Sequence, residues 1–379
     1  MTASKKEPKT GADASYKASG VDIQGAESSI RQLAKWIDRT FDLNPHRPVL
    51  PLGYYANVIP LSADIALAIS TDGVGTKILV AEEMDRYDTV GIDCIAMNAN
   101  DIVCVGATPL ALVDYVAVER ADPDFLGEIG KGLYEGARQA GISIPGGELA
   151  QVREMIRGKR PDRGFDLVGT CVGTLHPDRI VVGEHVEPGD AVVALASSGI
   201  HSNGFTLARR VLFEKAGLSV TDNAAELGRS VGEELLTPTH MYVREAVEML
   251  SSVNVKALAH ITGDGLLNVA RVKNTAVGFV FDTLPDVPPI FAMIQRLGGI
   301  SLAEMFLVFN MGVGFCAVVA PEDADRTIEI AKRHGRSAWV AGYAVADPER
   351  RIWIPTHGLE GSKGEFRPAT GTAPRNPRV

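Results

Sequence analysis

Cysteine is scarce in this chain, four in 379 residues, and Cys94, Cys104, Cys171 and Cys316 stand far apart in apolar surroundings without a CxxC pair. That pattern argues against structural zinc and against a disulfide framework, and it fits buried thiols in a reducing compartment. No apolar run approaches the ~18 residues of a membrane span, so no membrane partner is expected. Met1–Ser15 is polar and lysine-bearing, without the hydrophobic stretch of a signal peptide, and the expected location is the cytoplasm. Positive charge is also short: 38 Lys and Arg against 47 Asp and Glu leave a formal charge of −9. A field of that sign repels a phosphate backbone, so no nucleic-acid partner is expected, while a local pocket for one small anion stays compatible.

Glycine, by contrast, is plentiful at 39 residues and falls in short bursts between apolar segments. Such bursts mark backbone that turns sharply or approaches something closely. The length suggests two domains. Composition and pattern place a polar tail at 1–15, a first body at 16–178, a second at 179–355 and a Gly/Pro/Lys/Arg-rich tail at 356–379, both tails expected to be disordered. In the first body, Ile30, Leu33, Ala34, Ile37 and Phe41 form a helical stripe. Strands are expected at Ile65–Ser70, Ala111–Val118, Ile142–Ile144 and Asp166–Leu175, with a helix carrying Phe125, Ile129, Leu133 and Ala137 that ends at Gly141. The second body reads as strands Ala191–Ala196, Ala276–Phe281, Val313–Ala320 and Ala338–Val345. Its helices follow Asn203, precede Leu250, and span Pro289–Leu297 and Glu322–His334. Strict βαβ alternation is missing, so the class is α+β.

Five segments carry chemistry. The octet Ser70–Lys77 (STDGVGTK) follows a strand; Asp72 can face a metal, Gly73 and Gly75 let backbone fold under an anion, and Lys77 offers a point charge for phosphate. Its spacing is not that of a Walker A loop, and an Asp-Gly turn with a solvated lysine is the plain alternative. Next, Asn98, Asn100 and Asp101 lie in an apolar stretch where polar groups are costly to bury; Asn100 and Asp101 offer the hard oxygens Mg²⁺ prefers. Pro145-Gly146-Gly147-Glu148 puts another carboxylate on tight backbone, or is a hairpin turn. Ser197-Ser198-Gly199-Ile200-His201-Ser202-Asn203 precedes a helix and offers a nest for a phosphate monoester, although Ser202 or Asn203 could be a helix cap. Last, His260-Ile261-Thr262-Gly263-Asp264-Gly265 holds a histidine that is either functional or satisfied in the core.

In this order the segments resemble the aminoimidazole ribonucleotide synthetase family, whose pattern is matched by Tyr16 with Ser19–Asp22, STDGVGTK at Ser70–Lys77 and DTVGID at Asp88–Asp93. Ala96–Tyr115, Leu195–Phe205, Leu235–Val243, Ala259–Leu266 and Glu304–Gly314 continue it, so the likeness covers about residues 16–346. Three segments depart from it: GGELAQVR at 146–153 replaces GGETAEMP, HITGDG at 260–265 replaces HxTGGG, and Leu52–Ala56 replaces a glycine-rich segment. The resemblance implies two α+β domains and a homodimer whose N-terminal sheets pair into a shared barrel. It implies ATP and Mg²⁺ as cofactors, and a phosphorylated ribonucleotide, formylglycinamidine ribonucleotide, closed to aminoimidazole ribonucleotide through phosphorylation of its amide oxygen. On that basis Asp72, Lys77 and His260 are the expected catalytic residues. ATP would meet Asp72, Gly73, Gly75, Thr76, Lys77, Asn100, Gly146 and Gly147. The substrate phosphate would meet Ser197, Ser198, Gly199, His201, Ser202 and Asn203, and Asp72, Asp101 and Glu148 would hold metal. The alternatives are a divergent superfamily paralogue acting on another phosphorylated small molecule, and a non-catalytic nucleotide-binding regulator.

Overall fold

The computed structural model describes residues 23–378, so the segment 1–15 and the Tyr16 and Ser19–Asp22 matches lie outside the described residues. Two sheets organise the molecule. The first contains β1 (Asn57–Pro60), β2 (Ala66–Gly73), β3 (Thr108–Val118), β4 (Ser143–Gln151) and β5 (Phe165–Leu175) in the order β1-β2-β5-β3-β4. All its pairings are antiparallel except β3 with β4. Helix α1 (Ile23–Ile37) precedes it, and α2 (Ile78–Met84), α3 (Val90–Cys104) and α4 (Pro123–Ala140) lie between its strands. Asp122 caps α4 through a hydrogen bond from Phe125 N, and Gly141, the end expected from the sequence, terminates it in left-handed backbone. Helix α3 covers one face of the sheet and packs on α4 so closely that a Cβ on Gly91 would lie 2.2 Å from Leu133 N.

The second sheet has eight strands in the order β15-β14-β13-β10-β12-β6-β11-β9. They are β6 (Ala191–Ala196), β9 (Val255–His260), β10 (Val277–Phe281), β11 (Val313–Val319), β12 (Ala338–Ala346), β13 (Ile352–Ile354), β14 (Leu359–Ser362) and β15 (Glu365–Pro368). A small ribbon, β7 (Asn223–Ala224) with β8 (Arg229–Ser230), sits apart from it. Helices α5 (Phe205–Arg209), α6 (Val231–Leu235), α7 (Val243–Ser252), α8 (Pro289–Gly298), α9 (Leu302–Val308) and α10 (Ala324–Arg333) complete the domain. Strands β6, β10 and β11 are buried almost throughout, which is why they read as unbroken apolar runs.

Two expectations need correcting. The stretch 356–379 is not a loose tail over its first half: β14 and β15 pair there, Leu359 and Phe366 join the core, and Tyr343 Oη donates to Pro374 O. Pro145–Glu148 is not a turn, since it lies inside β4. The mixed α+β content is as expected. Among the described residues no helix is long and apolar enough to cross a membrane.

Candidate functional site at the domain junction

Helix α3 presents its polar residues to the second domain, and the contacts it makes decide which of the expected site residues are free for a ligand. Asp93 is the central bolt. Lys77 Nζ lies 2.8 Å from its Oδ2, while Thr239 N and Thr239 Oγ1 each donate to Oδ1 at 2.7 Å. Lys77 Nζ also donates to His201 O and Thr237 O, at 3.1 and 2.7 Å. Both side chains are fully buried. Burial pushes the Lys77 amine below its ordinary value, and Asp93 opposes that shift. The expected phosphate charge of Lys77 is thus corrected: an ammonium has three donors, and protein oxygens take all of them.

Asn100 and His260 need the same correction. Asn100 Oδ1 accepts from Tyr242 N and its Nδ2 donates to His240 O, both at 2.9 Å, so its amide joins the two domains. His260 is fully buried; Nδ1 lies 3.0 Å from Asp101 Oδ1 and Nε2 lies 3.4 Å from Asn100 Nδ2. With both ring nitrogens engaged, His260 orients Asp101 and keeps no nitrogen for a substrate. Thr76 is a junction residue too, its hydroxyl 3.1 Å from that of Thr206.

Asp72 and Asp101 remain. Asp72 stands near the end of β2, with Oδ1 accepting from Gly73 N at 2.7 Å. Burial first, and then repulsion from Asp101, raise its pKa to about 6. Burial raises that of Asp101, against the pull of His260 and Arg271. Two desolvated carboxylates that repel each other fit a divalent cation shared with ligand phosphates, since Mg²⁺ commonly takes one or two carboxylates plus phosphate oxygens. Among the described residues no cluster of three His, Cys, Asp or Glu stands at metal-ligand spacing. The nearby Asn98 Oδ1 is buried without a hydrogen-bond partner, although its Nδ2 donates to Asp72 O and Cys94 O.

Glu148 does not join this pair. Asp72, Gly169, Asp114 and Gly147 face one another in a single row across β2, β5, β3 and β4. Glu148 is one residue further along β4, opposite Tyr115, so it points to the opposite face, roughly 14 Å away at three strand spacings. The row explains Gly147: a Cβ there would come 2.4 Å from Asp114 Oδ1. Gly146 is exposed on the same edge strand, distant from the junction. Asp114 was missed by sequence reasoning because it stands in the apolar strand Leu112–Val116; burial raises its pKa, and only its charge in that run signals it.

The loop after β6 closes the junction from the other side. Ser198 N donates to His201 Nε2 at 3.2 Å, and Ser198 Oγ donates to Pro238 O at 2.6 Å. Burial holds the His201 pKa well below its ordinary value, with His240 and His260 adding to the effect. The ring is therefore neutral with its proton on Nδ1, and that N–H has no acceptor among the described residues. Ser197 Oγ and Asn203 Oδ1 are also buried without hydrogen-bond partners among the described residues. Helix α5 begins after Gly204 with no side-chain cap, so neither Ser202 nor Asn203 serves as one; Ser202 Oγ lies 3.3 Å from Thr239 Oγ1 instead. Gly199 and His201 take φ of 145° and 60°, and Asn310 Nδ2 fixes Gly199 O at 2.8 Å. Unsatisfied buried polar atoms are rare, and the three in this loop are open to water or to a bound molecule.

This junction of an α3-covered sheet with a second α/β layer defines a two-domain AIR synthase-related protein. Family models for that class match in both halves: AIR synthase related protein, N-terminal domain, over residues 53–175, and AIR synthase related protein, C-terminal domain, over residues 187–354. The phosphoribosylformylglycinamidine cyclo-ligase of Methanothermobacter thermautotrophicus is 50% identical over 316 residues, covering 83% of this chain and 90% of that protein. The cyclo-ligase of Pyrococcus horikoshii is 43% identical over 346 residues, 91% of this chain and 98% of that one. The chain belongs to the phosphoribosylformylglycinamidine cyclo-ligase family, a family of carbon–nitrogen ligases. Among solved structures, thiamine-monophosphate kinase from Stenotrophomonas maltophilia K279a shares the fold, with a TM-score of 0.58 and 20% identity, covering 83% of this chain and 93% of that one. Thermotoga maritima PurL complexed with ADP gives 0.52 and 16%, covering 83% and 46%.

Proposed function

We propose that this ligase closes the imidazole ring of aminoimidazole ribonucleotide from formylglycinamidine ribonucleotide, spending ATP. The amide oxygen of the substrate takes the γ-phosphoryl group, the neighbouring amine attacks the same carbon, and phosphate leaves, so ATP becomes ADP and phosphate. The observation that carries this reading is the set of unpartnered polar atoms in the loop 197–203, beside the Asp72 and Asp101 carboxylates at one domain junction. Chemistry of this kind needs alignment and charge neutralisation more than a strong nucleophile. Asp72 and Asp101 would hold Mg²⁺, which supplies charge neutralisation for the phosphates. Ser197, His201 and Asn203 orient the substrate phosphate end, with His201 acting as a neutral N–H donor. His260 keeps Asp101 in place. The PurL structures with ADP and AMPPCP support a nucleotide ligand for the shared fold. The reaction belongs to the cytoplasm.

The test is direct: purified chain is incubated with ATP, Mg²⁺ and formylglycinamidine ribonucleotide while ADP and product mass are followed. Unchanged substrate removes the reading. Within it, Ser197→Ala is expected to raise the KM for the ribonucleotide about tenfold, the loss of one hydrogen bond to a charged group. Because the hydroxyl bonds nothing in the protein, thermal stability should hold to within about 0.5 kcal/mol.

A homodimer fits the same reading. The face of the first sheet opposite α3 exposes Ile69, Val113 and Tyr115, at 36, 45 and 44% of their surfaces. A contiguous apolar sheet face of this kind calls for a cover, and a second copy pairing face to face would supply it. Tyr115→Glu is expected to halve the mass found by light scattering; an unchanged mass assigns the dimer contact elsewhere.

A further inference from the structure

The loop after β9 holds one side chain that neither the fold nor the proposed chemistry uses, Asp264. Its backbone is left-handed, φ 70° and ψ −2°, in a conformation that favours glycine. Its neighbour Gly265 cannot be replaced, because a Cβ there would lie 1.9 Å from Phe306 O. At 264 a side chain is present, and its carboxylate meets Arg271 Nη2 at 2.9 Å across the short 3-10 turn Gly265–Ala270. The Arg271 guanidinium lies 5.5 Å over the Tyr55 ring, and Tyr55 Oη is itself fixed to Asn268 O at 2.9 Å. Arg271 is thus gripped from both domains, with its charge near enough to Asp101 for that carboxylate to feel it. A cavity of about 640 Å³ opens beside it, lined by Asp264, Arg271, Leu267, Arg350, Ser362 and Lys363.

Stability does not account for this arrangement. Arg271 and Asp264 are 35 and 41% exposed, and a pair so solvated adds little to a fold. Asp264 meanwhile occupies backbone that a glycine would take without strain. A strained residue whose only strong contact aims a cation is best explained by what that cation meets. Arg350 also lines the cavity, but its Nη2 is held by Ala270 O and Val272 O, so it is tied to the backbone rather than aimed by a carboxylate.

We propose that Arg271 binds a phosphate group of a small-molecule ligand in this cavity, and that Asp264 is the positioning residue that aims it. Guanidinium suits phosphate because its planar fork can meet two oxygens at once. Only the identity of the phosphate, on the nucleotide or on the ribonucleotide substrate, rests on the reaction proposed above.

The experiment is calorimetric binding to the full chain of two probes, ADP with Mg²⁺ and formylglycinamidine ribonucleotide, each measured alone. Arg271→Met is expected to weaken one probe at least tenfold and leave the other unchanged, and Arg271→Lys to recover part of the loss. Asp264→Gly should weaken the same probe about three- to tenfold while melting no lower than the parent, since glycine relieves the backbone. Loss of ADP assigns the phosphate to the nucleotide, and loss of the ribonucleotide assigns it to the substrate. Both probes binding every variant within twofold of the parent overturns the proposal. Should the parent chain neither bind nor convert the ribonucleotide, the reaction proposed above fails. An ADP affinity unchanged in Arg271→Met then overturns this inference separately.

Discussion

Asp72→Asn should lower turnover about 10³-fold, the scale on which loss of one preorganised charge at a reacting centre is felt. The fold should survive, because the amide oxygen can still accept from Gly73 N, the one hydrogen bond to that carboxylate among the described residues. A second signature separates this residue from a merely structural one. Its carboxyl is raised from 3.8 to about 6 in the folded protein, by burial and by Asp101. The folded state therefore holds the proton more tightly than the unfolded state between about pH 4 and 6, so unfolding free energy falls as pH rises through that window and levels off above it. In metal-free buffer this slope should shrink in Asp72→Asn, and the variant should melt no lower than the parent at pH 8. Turnover within tenfold of the parent, or an unaltered slope, would take Asp72 out of the site.

Asp93→Ala should cost about 3–5 kcal/mol, the usual penalty for stripping one partner from a buried ion pair. Three donors converge on that carboxylate: the Lys77 ammonium, the Thr239 amide and the Thr239 hydroxyl. All would lose their acceptor inside the junction. At roughly 2–4 °C per kcal/mol, the melting temperature should drop on the order of 10 °C. Lys77→Met combined with Asp93→Ala should recover part of the loss, since no charge is then stranded. A single variant melting within about 2 °C of the parent would show that the bolt carries no weight.

Much of this was legible in the sequence. Strands β3, β5, β6, β11 and β12 announce themselves through Val, Ala and Leu, and α4 through its stripe and its terminal Gly141. Helix α3 was not legible as a helix: it is buried on nearly every side, so its apolar residues follow no one-sided period. β4 was legible only at its start, Ile142–Ile144: Pro145, Gly146 and Gly147 are poor strand formers, and parallel pairing with β3 overrides their preference. The C-terminal hairpin β14–β15 was hidden by Gly and Lys at its tip. For the site, the residue types were readable and their commitments were not. Lys77, Asn100 and His260 look like ligand contacts in one dimension, yet apart from Asp93 beside Lys77 the partners that occupy them lie more than a hundred residues away, across the domain junction. Glu148 failed for a simpler reason, the alternation of a strand, which one residue reverses.

The place of β6 in its sheet also bears on how the chain is made. Ala191–Ala196 is buried along nearly its whole length, and both of its neighbours, β11 and β12, come more than a hundred residues later. During synthesis the ribosome must therefore extend through Ala346 before this strand can be sandwiched. Until then, AVVALA is an unpaired, uncharged strand with two open edges, the kind of segment that chaperones hold and that sticks to its own kind. Expression that outruns chaperone supply should fill inclusion bodies with chains arrested at this step, and added chaperone or a lower expression level should raise the soluble yield.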